Sequence, residues 1–332
     1  MTILVTGGAG YIGSHMVHEL VDAGEPVVVL DNLSTGFRFL LPSSVPMIVG
    51  STGDRDLVAQ VIETHRVSAI IHFAASIVVP DSIRDPLGYY RNNTVNTCLL
   101  LDAAVAGGVH NFIFSSTAAV YGNPERVPVK ENVDTNPISP YGNSKLMSEI
   151  ILHETGRAYD FRFVVLRYFN VAGADPKLRT GQATPAATHL IKVACEAALG
   201  RRPKIEVYGT DYPTPDGTCI RDYIHVSDLA RAHSAALAYL RRGGTSATFN
   251  CGYGHGYSVF EVLDAVRRAS GRNFPVETAG RRAGDPATLV ADAERIRGTL
   301  DWRPRYDDLD TIVGHALAWE RRLAGRRDNA TN

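Results

Sequence analysis

An apolar run, Thr2-Ile3-Leu4-Val5-Thr6, passes directly into Gly7-Gly8-Ala9-Gly10-Tyr11-Ile12-Gly13, and few folds accommodate such a junction. Glycines at 7, 10 and 13 leave no side chain between the backbone and a ligand. They open a helix whose free N–H groups and dipole suit a pyrophosphate. A second apolar run, Val27-Val28-Val29-Leu30, ends in Asp31, where a carboxylate meets the adenosine ribose 2′-hydroxyl of a dinucleotide. A glycine pattern alone is a weak signal; strand, glycines, helix, strand and acid in that order are a strong one. The same carboxylate repels a 2′-phosphate, so NAD is favoured over NADP.

With 332 residues, 45% hydrophobic and 21% charged, the chain can bury a large core and form one large or two modest domains. A formal charge of −1 argues against nucleic-acid binding or a membrane-surface role, both of which want a basic excess. No apolar run reaches the ~18 residues of a spanning helix. Met1 leads straight into the first strand, which predicts no signal peptide and a cytoplasmic location. Cys98, Cys195, Cys219 and Cys251 are widely spaced, as reduced thiols are, with no zinc-site pattern. His15 and His18 lie three apart without an acidic or thiol partner nearby, so no metal is expected.

Apolar runs at 47–49, 69–73, 111–115 and 163–168 alternate with helical patterns at about 12–23, 54–64, 85–106 and 140–159. Near-continuous apolar strands separated by helices predict an α/β, doubly wound parallel sheet covered on both faces. After Asn170 the rhythm breaks into Gly- and Pro-rich loops, with helices predicted at about 188–199 and from Ser227 or Asp228 to about 241. Short helices and strands follow from about 258, and the tail Arg326–Asn332 is predicted to fray. Residues 1–170 are therefore expected to form the NAD-binding Rossmann domain, with a strand and helix near 219–250 returning to it. Residues 171–332 are expected to form mainly a smaller, mixed substrate domain.

In such sheets ligands sit beyond the carboxyl ends of the strands. The fifth run exits into Ser115-Ser116-Thr117, which puts hydroxyls at the mouth of the cleft. Ser139-Pro140-Tyr141-Gly142-Asn143-Ser144-Lys145 then begins a helix, and a spacing of four puts Tyr141 and Lys145 on one face. The ammonium can stabilise a phenolate, although a tyrosine with a pKa near 10 needs roughly 4 kcal/mol of preferential stabilisation to act as a base at neutrality. Lys145 together with the positive nicotinamide ring can supply it. An isolated Tyr-x-x-x-Lys is more often a surface pair; here it accompanies the glycine pattern and the hydroxyl-bearing strand end.

These residues resemble the extended short-chain dehydrogenase/reductases and, within them, the UDP-glucose 4-epimerase (UDP-galactose 4-epimerase) family. The likeness also runs through His72-Phe73-Ala74-Ala75, Leu166-Arg167-Tyr168-Phe169-Asn170, Val207-Tyr208-Gly209, Arg221-Asp222-Tyr223-Ile224-His225-Val226 and Gly284-Asp285. It implies inversion at sugar C4 through a 4-keto intermediate, with NAD taking and returning the hydride and with no net redox change. Tyr141 would remove the 4-hydroxyl proton, Thr117 would bind the 4-oxygen, and Lys145 would hold the nicotinamide ribose. Gly7, Gly10, Tyr11, Ile12, Gly13, Asp31, Asn32, Asp54, Phe73, Ala74, Ala75, Asn93, Ser115 and Tyr168 complete the implied cofactor site. Arg221 and Arg282 would clamp the substrate pyrophosphate, since a guanidinium fork matches phosphate oxygens. Asn170 and His189 would touch the diphosphate, Tyr208 the uracil and Asp285 the uridine ribose. The family also implies a homodimer through a four-helix bundle built from the helices at 85–106 and 140–159.

Three positions depart from well-known members. Thr117 stands where many have Ser, His189 where some have a substrate-binding Asn, and Ile77 where some have a cofactor-binding Lys. Dehydratases and decarboxylases of this fold carry acid/base groups immediately after the strand-five Thr; Ala118 and Ala119 occupy those positions and cannot move a proton. Asp31 disfavours an NADPH-dependent ketosugar reductase, and retention of Tyr141, Lys145 and Thr117 disfavours a non-catalytic NAD sensor. UDP-pentoses such as UDP-xylose and UDP-arabinose, and UDP-N-acetylhexosamines, stay open as substrates. Leu289 matches a wall position where an aromatic excludes an N-acetyl group at sugar C2 and a small residue admits it. Leucine is intermediate, so Leu289→Tyr is expected to lower turnover of N-acetylated sugars relative to plain ones. An unchanged ratio in a side-by-side assay refutes the gate.

Overall fold

The computed structural model describes residues 2–185, 187–282 and 284–330. Seven strands form one wholly parallel sheet: β1 (Thr2–Thr6), β2 (Val27–Asp31), β3 (Met47–Val49), β4 (Val67–His72), β5 (Asn111–Thr117), β6 (Arg162–Tyr168) and a late strand, Ala247–Cys251. From one edge to the other the order is Ala247–Cys251, β6, β5, β4, β1, β2, β3. Alternation along β1 shows why both faces are covered. Ile3 and Val5 enter one apolar cluster and Leu4 enters the other, and all three are fully buried.

Helices α1 (Tyr11–Asp22), α2 (Arg55–His65), α3 (Val79–Arg84), α4 (Pro86–Tyr89), α5 (Asn96–Ala106) and α6 (Pro140–Ala158) follow in chain order. The sequence predicts one uninterrupted helix over 85–106. The structure instead inserts a π-helical segment, Tyr90–Val95, between α4 and α5. The wider turn carries Asn93, whose buried amide donates to the Ser76 carbonyl at 2.9 Å and to Ser144 Oγ of α6 at 3.0 Å. Helix α3 has no counterpart in the sequence reading.

Beyond β6 the chain forms β7 (Asn170–Ala172), α7 (Leu190–Ala198), β8 (Ile205–Tyr208), β9 (Ile220–Arg221), β10 (Tyr223–His225) and α8 (Val226–Arg241). The late sheet strand is β11, and β12 (Tyr257–Ser258), α9 (Val259–Ser270), β13 (Val276–Ala279), β14 (Thr288–Leu289), α10 (Glu294–Thr299) and α11 (Leu309–Ala330) complete it. These strands make three small sheets, β7 with β10, β8 with β13, and β12-β9-β14. Helix α8 does not start on Ser227 or Asp228 as the sequence suggests. His225 caps it, its Nδ1 accepting from the Ser227 N–H at 3.0 Å. Asp228 is buried and committed elsewhere, accepting from the Tyr253 hydroxyl at 2.6 Å and the Tyr306 N–H at 2.9 Å. The predicted frayed tail is helical as far as Ala330, and Thr331 and Asn332 lie outside the described residues. Among the described residues no helix is long and apolar enough to cross a membrane.

The glycine loop lies where the sheet reverses its direction of growth, between β1 and β4. Gly7 adopts φ +68°, and a Cβ there would come within 2.6 Å of the Ala74 nitrogen. At Gly13 a Cβ would come within 2.2 Å of the Gly7 carbonyl oxygen, a backbone atom that cannot yield cheaply. Gly13→Ala is therefore expected to cost about 1–3 kcal/mol, read as a lowered unfolding midpoint in denaturant. An unchanged midpoint would mean that the loop repacks freely.

Candidate active site

Helix α1 begins with no side-chain cap at Gly10 and no acidic residue in its first turn, so its free N–H groups face the mouth of the sheet. Asp31, buried at the end of β2, accepts from the Ala9 N–H at 2.9 Å and from the Leu33 N–H at 2.8 Å. The carboxylate is thereby fixed over the loop and keeps lone pairs to spare. At the end of β4, the Phe73 N–H donates to the Thr6 carbonyl at 2.9 Å, bringing Phe73-Ala74-Ala75 alongside Gly7. The Phe73 ring lies 4.7 Å from that of His233 on α8. An uncapped helix start, a crest that admits no Cβ and a fixed carboxylate together fit a dinucleotide.

Not every residue carried over for the cofactor presents a free side chain. Asp54 is the N-cap of α2 and accepts from the Leu57 N–H at 3.0 Å, and the Asn32 Oδ1 accepts from the Ser34 N–H at 3.0 Å. Tyr11 donates to the Gly173 carbonyl at 2.7 Å. Burial raises its pKa well above the ordinary tyrosine value. Ile77 is half exposed.

Strand β5 ends on Thr117, and Ser139 caps α6 by accepting from the Gly142 N–H at 3.2 Å, with Pro140 in the first turn. That start sets Tyr141 beside Thr117, whose hydroxyl favours the phenolate. Lys145, one turn on, is buried with Nζ 4.3 Å from the centre of the Phe114 ring. The sequence predicts that Lys145 depresses Tyr141; in the structure burial dominates both groups. It pushes the phenol up to about 12 and the ammonium down to about 7, with the nearby Thr117 hydroxyl and the Glu149 charge opposing those moves. Tyr168 lies near Ser115, whose Oγ is 2.9 Å from His233 Nε2. Burial drives Tyr168 above the ordinary tyrosine range, with neighbouring Tyr141 adding to the rise, so both phenols are protonated.

The later segments supply the opposite wall. Asn170 opens β7, and His189 precedes α7 with its Nδ1 2.8 Å from the Gln182 side-chain nitrogen. Tyr11, Asn170, His189 and Tyr223 line one cavity with the buried Lys192–Glu320 ion pair. Arg221 and Leu289 are register partners of β9 and β14, and Arg221 Nη2 lies 3.6 Å from Asp285. The Arg282 guanidinium lies 3.7 Å from the centre of the Tyr208 ring. Leu289 packs with Ala118, Val120 and Phe169, beside the exit of β5. Sequence reasoning missed Glu149, Gln182 and His233. Only Glu149 carried a signal, as the next residue after Lys145 on the same face of α6.

Comparison with known proteins agrees with this geometry. Residues 3–252 match the NAD dependent epimerase/dehydratase family, and the chain belongs to it. It is 60% identical to a UDP-glucose 4-epimerase of Azospirillum brasilense over 97% of this chain and 92% of the relative. A crystal structure of UDP-glucose 4-epimerase from Brucella ovis in complex with NAD is 45% identical, with a TM-score of 0.93 over 96% of this chain and 97% of that one. The Bifidobacterium longum enzyme, solved in complex with NAD+ and UDP, is 35% identical with a TM-score of 0.92 over 97% and 98%.

Proposed function

We propose that the chain is an isomerase that interconverts UDP-glucose and UDP-galactose by NAD-dependent inversion at sugar C4. The observation that carries this reading is the buried Thr117–Tyr141–Lys145 group beside a dinucleotide crest. Curated UDP-glucose 4-epimerases match nearly the whole chain. Bound NAD supplies reversible hydride acceptance and return at C4. Tyr141 takes the 4-hydroxyl proton and gives it back, and Thr117 holds the 4-oxygen against the phenol. Lys145 binds the nicotinamide ribose and stabilises the phenolate charge. Asp31 anchors the adenosine ribose, while Gly7, Gly10 and Gly13 with the first turn of α1 hold the pyrophosphate.

On the substrate side, Arg221 and Arg282 grip the diphosphate with Asn170 and His189, Tyr208 lies against uracil and Asp285 binds the uridine ribose. A firm nucleotide grip and a looser sugar pocket let either face of the 4-keto sugar reach the same Tyr141. Residues 1–170, with α8 and β11, form the NAD-binding part in this reading, and residues 171–332 mainly hold the nucleotide sugar. The cytoplasm is the compartment it takes, since four free thiols suit a reducing environment.

The test is incubation of purified protein with UDP-galactose and anion-exchange separation of the nucleotide sugars. UDP-glucose is expected from the wild type, with at least about a hundredfold less from Tyr141→Phe, as befits loss of an acid/base group. No conversion by NAD-bound wild type overturns the reading. We also propose a homodimer through a four-helix bundle of α5 and α6. Ile83, Leu87, Val95, Met147 and Ile150 leave an apolar surface on and beside these helices, with Leu87 66% and Ile83 60% exposed. Light scattering is expected to give twice the 36.0 kDa chain mass, and a monomer excludes the bundle.

A further inference from the structure

His189 stands at the start of α7, and its side chain leaves the first N–H groups of that helix uncapped. It lines a cavity with Asn170 and Tyr11, the neighbourhood in which the substrate diphosphate is proposed to bind. An imidazole serves such a ligand only if a ring N–H faces it, because a bare nitrogen lone pair repels a phosphate oxygen. Which nitrogen of a neutral ring carries the proton is set by the partner of the other one.

That partner is Gln182. Its side-chain nitrogen lies 2.8 Å from His189 Nδ1, and an amide nitrogen can only donate. Nδ1 therefore accepts, and the ring proton sits on Nε2, which makes no hydrogen bond among the described residues. Burial and the neighbouring Lys192 ammonium both lower the pKa of the ring, so it is neutral near pH 7. Gln182 is itself held in place. It is buried, and its carbonyl accepts from Lys192 Nζ at 3.2 Å and from Trp319 Nε1 of α11 at 3.1 Å. Two residues earlier, Thr180 Oγ1 lies 2.6 Å from Ser14 Oγ on α1. The loop that carries the amide is thus fastened to α1, α7 and α11, and the amide meets Nδ1 from a fixed direction.

We propose that Gln182 is a positioning residue for the substrate: it fixes His189 as a neutral ring whose Nε2–H donates to the diphosphate. The inference rests on the proposed contact between His189 and that diphosphate. Arg221 and Arg282 supply charge in this arrangement, and His189 supplies a directed donor whose protonation does not change near neutrality. A carboxylate at position 182 would reverse it, since a carboxylate accepts from Nδ1–H. The ring would then be charged at low pH, with both nitrogens donating. On losing a proton as pH rises it would keep the other on Nδ1 and turn a lone pair toward the phosphate. The remaining ionisable groups about the cavity are committed. Tyr11 of α1 and Tyr223 of β10 are phenols raised by burial. Lys192 pairs with Glu320 of α11 and lies 3.3 Å from Glu196, and these carboxylates also meet Arg201 at 3.3 Å and Arg202 at 2.6 Å respectively.

The experiment is calorimetric titration of NAD-bound protein with UDP on wild type, Gln182→Leu, His189→Ala, the double variant of these two, and Gln182→Glu. Gln182→Leu is expected to weaken UDP binding about three- to tenfold, and to add nothing once His189→Ala has removed the ring. Gln182→Glu is compared with wild type at each pH from about 6 to about 8.5, which cancels the ionisation of UDP itself. Its affinity relative to wild type is expected to fall as pH rises, a titration that mere support of the loop would not create. Wild-type affinity in Gln182→Leu overturns the proposal, and so does an equal weakening with and without the imidazole, which would make Gln182 a general support of the loop. Where Gln182→Leu fails to fold, Gln182→Glu decides, and a ratio to wild type that is constant with pH overturns the proposal. Wild type that binds no UDP overturns it as well. Wild type that binds UDP but does not convert UDP-galactose overturns the epimerase reading alone.

Discussion

The structure depends on a backbone-to-backbone approach at the crest of the sheet. Gly13 on α1 rests against the Gly7 carbonyl, and Gly7 rests against the start of the segment that leaves β4. No side chain can be interposed there. The approach fixes the angle at which α1 leaves β1, and it opens a crevice at the point where strand order reverses. Its free helix N-terminus and Asp31 then face the same crevice, because β1 and β2 are register partners from Ile3 with Val27 to Thr6 with Leu30.

Around that crest the proposed catalytic groups are placed by burial rather than by surface charge. Tyr141 and Lys145 are both nearly inaccessible, and burial penalises the ionised form of each. Their environment is polar but fully committed. Asn93 ties the π-helical segment to α6, and Ser148 donates to the Asn93 carbonyl at 3.1 Å. His72 bridges Thr6 at 2.6 Å and Thr97 at 3.0 Å. Networks of this kind hold one geometry because every alternative strands a buried polar atom. In the proposed reaction a base that works from either face of a sugar needs that rigidity in the protein, since the sugar itself must turn.

The sheet was readable from local pattern because parallel strands buried on both faces are apolar throughout, as Val27–Leu30 and Phe112–Phe114 are. Tyr141 and Lys145 were readable because a helix converts a spacing of four into a shared face. Asn93 and the π-helical turn were not. The pattern over 85–106 is helical either way, and the extra residue is accommodated through Ser76 and Ser144, which are distant in sequence. The cap of α8 misled for a related reason: Asp228 is an excellent cap by type, but Tyr253 and Tyr306 claim it from another part of the chain.

By itself the sequence determined the elements and the local chemistry: a strand–glycine–helix crest, an acid after β2, a hydroxyl-ended β5 and a Tyr-x-x-x-Lys helix. Each of these is set by residues a few positions apart. Only the tertiary structure decided which partners those groups keep. It placed Arg167 opposite Ser116 and onto Glu149, Arg221 beside Leu289, and His189 within reach of Gln182. It also decided the charge states, because a pKa inside a protein follows desolvation and distant neighbours, and these exist only once the chain has folded.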